Sequence, residues 1–112
     1  MTALSEQDFR VQSDVALEGA RKALLPLADM EGFEVELQNG VLNLVFEEPA
    51  EMKFVVSPNA PVRQIWVSAH NRSFKLDWDS ARNSFILPSS GQTLAEMVGE
   101  AIGQQLHEDV SL

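Results

Sequence analysis

Asn39-Gly40 stands between two runs that alternate with a period of two. Before it, Phe33, Val35 and Leu37 alternate with Glu34, Glu36 and Gln38; after it, Leu42, Leu44 and Phe46 alternate with Val41, Asn43 and Val45. Asn and Gly tolerate the positive φ that both central positions of a type I′ turn require, so the pair fixes a hairpin whose strands share one apolar face. Further strand-like runs follow at Met52 to Val56, Arg63 to Ala69, Ser73 to Trp78 and Ser84 to Leu87, with Pro58 and Pro61 bracketing a loop. The connections are of hairpin length and rich in Asn, Ser and Asp, which predicts an antiparallel sheet of about six strands.

A one-sided sheet needs a cover, and the two ends of the chain supply it. Ser5 followed by Asp8 imitates a capping box, and Phe9, Ala16, Ala20, Ala23, Leu24 and Leu27 fall near one stripe of a 3.6-residue period. Pro26 predicts that this helix stops near Leu25 or continues with a kink. Thr93 and Glu96 fit a second capping box, followed by one apolar face of Leu94, Met97, Val98, Ala101, Ile102 and Leu106. The expected class is α+β: a two-layer sandwich with the N- and C-terminal helices packed on one face of the antiparallel sheet. The other face is expected to meet water, because strands covered on both sides would read as near-continuous apolar runs.

At 112 residues, with no repeat or linker-like stretch, the chain is expected to form a single domain, 1–112. Size scaling leaves about 6,100 Å² exposed from roughly 18,000 Å² in the unfolded chain, which suffices for a core without staples. There is no cysteine, so disulfides, thiolate metal sites and thiol nucleophiles are excluded. The longest uncharged stretch, Asn83 to Ala95, is interrupted by Pro88 and Gly91, and Met1 to Arg10 has neither a signal-peptide centre nor an Arg-rich transit character. A soluble, cytoplasmic protein with no membrane contact is the expectation. The net charge of −9 argues against nucleic acid as a partner, since such affinity comes from Lys and Arg. Residues 1 to 51 hold 11 acids against three bases, a balance that suits a hard cation, a basic protein partner or a plain solvated surface.

Few residues stand out for chemistry. On the fourth strand Ile65, Val67 and Ala69 form the apolar set, which puts Trp66 with Gln64 and Ser68 on the water side. An indole on a bare sheet is a candidate protein-binding anchor, unless a tail covers it or the register is off by one. Trp78 belongs to the apolar set of the fifth strand and is expected in the core. Met30, Met52 and Met97 fit core or boundary positions. His70, in a hairpin turn, and His107, at the end of the second helix, lack metal-ligand spacing, and no catalytic motif emerges.

The order Pro61-Val-Arg-Gln-Ile-Trp-Val-Ser68, then Leu76-Asp77-Trp78, then Ser90-Gly91 and a capped final helix resembles the signature of the frataxin family. With Phe9 in the first helix and the Asn39-Gly40-Val41-Leu42 hairpin, the resemblance covers nearly the whole chain. It implies an iron-binding adaptor or regulator of iron–sulfur cluster assembly, with cysteine desulfurase and the scaffold protein as partners. It also implies weakly bound iron on acidic residues of the first helix and strand, and a docking surface on the bare sheet around Trp66, Gln64 and Asn59. The sequence departs from the family where the acidic run should be densest: Arg21-Lys-Ala-Leu-Leu-Pro-Leu-Ala-Asp-Met-Glu31 carries two bases and several apolar residues. The candidate ligands that remain are Asp14, Glu18, Asp29, Glu31, Glu34 and Glu36, of which Glu34 and Glu36 match the family's acidic positions best. Two alternatives stay open, a ferroxidase acting at paired carboxylates and an interaction module that has lost its metal.

Overall fold

The elements run α1 (Glu6–Glu31), β1 (Glu34–Gln38), β2 (Val41–Phe46), β3 (Met52–Asn59), β4 (Gln64–Ala69), β5 (Arg72–Asp79), β6 (Ser84–Leu87), β7 (Gln92–Thr93) and α2 (Leu94–Leu106). The computed structural model describes residues 4–108, 110 and 112; Met1 to Ala3 of the acidic opening segment therefore lie outside it. The strands form one antiparallel sheet in the order β1-β2-β3-β4-β5-β6-β7, each joined to its neighbour in sequence. Both helices cover one face. Among the described residues no helix is long and apolar enough to cross a membrane.

Turn chemistry sets the register. Asn39 and Gly40 have φ of 52° and 76°, and Gln38 pairs with Val41. His70 and Asn71 repeat the device with φ of 52° and 61°, so Ala69 pairs with Arg72. Both two-residue turns match the twist of their strands, and each fixes which side chains lie opposite one another.

The core lies between sheet and helices. Phe9, Leu17 and Leu24 of α1 and Met97, Val98 and Ile102 of α2 meet Leu42, Leu44, Phe46, Phe54, Val56, Ile65, Val67 and Leu76. An aromatic line crosses beneath α2: Phe33 to Phe46 at 4.5 Å, Phe46 to Phe54 at 5.0 Å, and Phe54 to the His70 ring at 5.1 Å. His70 Nε2 lies 3.0 Å from the Ala101 carbonyl oxygen, so this histidine ties the β4–β5 turn to α2. Ser5 Oγ accepts the Asp8 N–H, and Thr93 with Glu96 forms a reciprocal capping box.

The structure settles one open point of the sequence reading and corrects several others. At Pro26 α1 takes the continuing course of the two expected and runs on to Glu31. Proline removes one intrahelical bond, but Pro26 is on the exposed side, and burial of Leu24 and Ala28 holds the segment to the sheet. Its buried line is Phe9, Ser13, Leu17, Ala20, Leu24 and Ala28, which leaves Ala23 exposed. β3 continues past Val56 into the supposed loop, where Pro58 pairs with Ile65; β2 has already ended there, so the missing N–H faces a single neighbour. A seventh strand, β7, pairs with β6. Met30 is 76% exposed, outside both core and boundary. Trp78 is half-buried: its ring stands edge-on to Phe85 at 5.1 Å and walls an apolar groove of about 360 Å³ between α1 and the start of α2.

Candidate functional site

Side chains on the face away from the helices fall into cross-strand rows that the pairing defines. One row holds Asn59, Gln64 and Asp77, and the next holds Ser57, Trp66 and Lys75. Glu36 begins a third row that runs through Asn43 and Val55 to Ser68. Asn59, Gln64 and Trp66, expected to form a protein-binding surface, are thus brought together at the middle of the sheet. Trp66 is 38% exposed.

The indole is held on two sides. Its Nε1–H donates to Gln64 Oε1 at 2.9 Å, and Gln64 Nε2 donates to Asp77 Oδ1 at 2.9 Å. The Lys75 ammonium lies 4.9 Å from the ring centroid, within cation–π reach. Lys75 and Asp77 were not singled out from the sequence. A signal existed: placing a two-residue turn at His70-Asn71 puts Lys75 opposite Trp66 and Asp77 opposite Gln64.

The six candidate metal ligands divide between the layers. Glu34 and Glu36 are exposed on edge strand β1, on the same face as Trp66 and about 14 Å from β4 at three strand spacings. Asp14 and Asp29 are exposed on α1. Glu18 is engaged: Arg21 Nε and Nη2 donate to its two oxygens at 2.9 and 2.6 Å. That fork holds the Glu18 carboxyl below its ordinary range. Glu31 ends α1 beside Glu108, just beyond α2, and its pKa is raised because the protonated Glu31 carboxyl can donate a hydrogen bond to the Glu108 carboxylate, with burial and the neighbouring negative charge acting in the same direction. Among the described residues no three His, Asp or Glu side chains gather into a group that could hold a metal ion. Separate carboxylates and carboxylate pairs select poorly among Fe(II), Mn(II) and Ca(II).

Comparison with known proteins points in one direction. Residues 2–108 match the family model of the frataxin-like domain. The iron-sulfur cluster assembly protein CyaY of Azotobacter vinelandii (strain DJ / ATCC BAA-1303) is 32% identical over 79 residues, 69% of this chain and 70% of its own length. Its namesake from Pseudomonas putida (strain GB-1) is 31% identical over 113 residues, covering 96% of this chain and 97% of that protein. The solved structure of frataxin from Psychromonas ingrahamii shares the fold, with a TM-score of 0.73 at 22% identity over 96% of this chain and 97% of that one.

Proposed function

This chain belongs to the frataxin-like family, and from that membership we propose that it serves iron–sulfur cluster assembly as an adaptor on the cysteine desulfurase–scaffold complex. The open sheet face is the docking surface. The observation that carries this reading is the exposed Trp66, set at the centre of an uncovered face with its N–H and one side of its ring already engaged by neighbours. Aromatic anchors of this kind concentrate binding energy at interface centres. The acidic margin of Glu34 and Glu36 on the same face suits a basic surface on the partner.

Iron enters this reading as cargo. Asp14, Asp29, Glu31, Glu34 and Glu36 offer exposed or half-exposed oxygens, whereas Glu18 must first leave Arg21. Such ligands suit a loosely held cation completed by water, not a closed shell of six to eight oxygens. The cytoplasm, where the chain's lack of cysteine is no disadvantage, is the compartment this role implies.

The experiment is a titration of the folded protein against the assembled desulfurase–scaffold complex. Trp66→Ala is expected to melt like the wild type and to bind at least about tenfold more weakly. Undiminished binding of that variant removes the sheet face as the docking surface.

A further inference from the structure

A tryptophan N–H is a donor only, whereas a glutamine amide can turn either its oxygen or its NH₂ toward a neighbour. Gln64 has two neighbours on this face. Asp77, an acceptor through its carboxylate, takes Gln64 Nε2–H at 2.9 Å, which leaves Gln64 Oε1 for the indole at 2.9 Å. The chain of donors therefore runs one way, from Trp66 to Gln64 to Asp77, and the carboxylate at its end decides how the amide is turned. The β4–β5 register makes this unavoidable, since Gln64 pairs with Asp77 and Trp66 with Lys75, whose ammonium lies 4.9 Å from the indole centroid.

We infer that Gln64 and Asp77 are positioning residues of the docking surface: the Asp77–Gln64–Trp66 chain holds the indole in the orientation in which it meets a protein partner. The inference rests on the docking role proposed for Trp66. Its physical basis is that a side chain already ordered in its bound conformation loses less freedom on association, so preorganisation is read as affinity. Both hydrogen bonds are exposed to water, so the effect is moderate, and Lys75 retains part of the ring's order when the chain is cut.

A charge swap tests the direction of the chain. Gln64→Glu sets two carboxylates opposite each other and breaks the link to Asp77, as like charges directly across a strand pair repel. Adding Asp77→Asn restores it with the original net charge, because the asparagine NH₂ donates to the new glutamate, which accepts from the indole. Two quantities are measured: the ¹⁵N relaxation order parameter of the Trp66 Nε1–H in the protein alone, assigned by its loss in Trp66→Phe, and the affinity for the desulfurase–scaffold complex. The expected result is an ordered indole in the wild type, and a mobile one with about five- to tenfold weaker binding in Gln64→Glu; both recover to within about twofold in the double variant. Asp77→Ala, which removes the acceptor without adding charge, is expected to match Gln64→Glu. If Gln64→Glu and Asp77→Ala leave the indole ordered, or mobilise it while binding stays at the wild-type level and Trp66→Ala still weakens it, the positioning role is overturned and docking through Trp66 stands. Failure of the double variant to recover either quantity also overturns the positioning role. Normal binding by Trp66→Ala overturns the docking role itself.

Discussion

Trp66 and Trp78 lie on adjacent paired strands and point to opposite faces: Trp66 stands over the open sheet opposite Lys75, and Trp78 turns toward the helices against Phe85. The same substitution at the two positions therefore separates binding from stability. Trp78→Ala is expected to cost about 2–3 kcal/mol, below the roughly 3–5 kcal/mol of a fully enclosed tryptophan because one side of the ring lines a groove. Trp66→Ala is expected to cost under about 1 kcal/mol. Urea melts measure both, and acrylamide should quench Trp66 emission more readily than that of Trp78. A Trp66→Ala variant that unfolds while Trp78→Ala does not would invert the assignment of faces.

Glu34 and Glu36 share the Trp66 face and point to water. Reversing both to Lys is expected to leave the melting temperature nearly unchanged while weakening binding to the desulfurase–scaffold complex. The wild-type affinity should fall as salt rises, because exposed charges are screened beyond about 8 Å at physiological ionic strength. Equal affinity of the two proteins at every salt concentration removes this margin from the interface.

Arg21 competes with any cation for Glu18. Wild-type Fe(II) or Mn(II) binding is expected with a Kd on the order of 1 μM to 1 mM, with either metal displacing the other. Arg21→Ala should free the Glu18 oxygens beside Asp14 and tighten Mn(II) binding by roughly two- to fivefold. Anaerobic calorimetry on both proteins decides this, and a single tight, iron-selective site would contradict it.

Glu96 gives the stability a sign with pH. Its carboxyl sits below the ordinary 4.5 because the Thr93 backbone N–H, then the Thr93 side chain, stabilise the charged form in the capping box. A folded pKa below the unfolded one means that the contribution is full above the unfolded value and is lost as pH falls through the folded value. Glu96→Gln should therefore flatten the acid limb of the stability profile. Thr93→Ala should cost about 1 kcal/mol at neutral pH. Parallel acid limbs in wild type and Glu96→Gln would show that the box contributes nothing to acid sensitivity.

Pro26 interrupts the hydrogen bonds of α1 from an exposed position. Pro26→Ala is expected to stabilise the fold by about 1–2 kcal/mol, the regained bond and helix propensity exceeding the extra entropy of the unfolded chain. A lower denaturant midpoint for the variant would show that the proline is needed to aim the last turn toward β1.

What the sequence determined by itself was local: alternation, turn chemistry and caps. Period two and the Asn39-Gly40 turn named the faces of β1 and β2, Ile65-Trp66-Val67 put the indole outside, and Thr93 with Glu96 opened α2. These were legible because each rests on bonds between residues a few positions apart. The rest depended on partners far away in the chain. α1 outlasts Pro26 because Leu24 and Ala28 are buried, Pro58 remains in a strand because β4 pairs with it after β2 has stopped, and Trp78 is half-covered because it lines the groove between α1 and the start of α2. In the candidate site the exposure of Trp66 could be read from alternation. Its hold by Gln64, Asp77 and Lys75 needed the β4–β5 register, and the meeting of Glu31 with Glu108 needed both helix ends brought together. A side chain's direction follows from its own strand, but what it touches is set by the packing of the whole sheet.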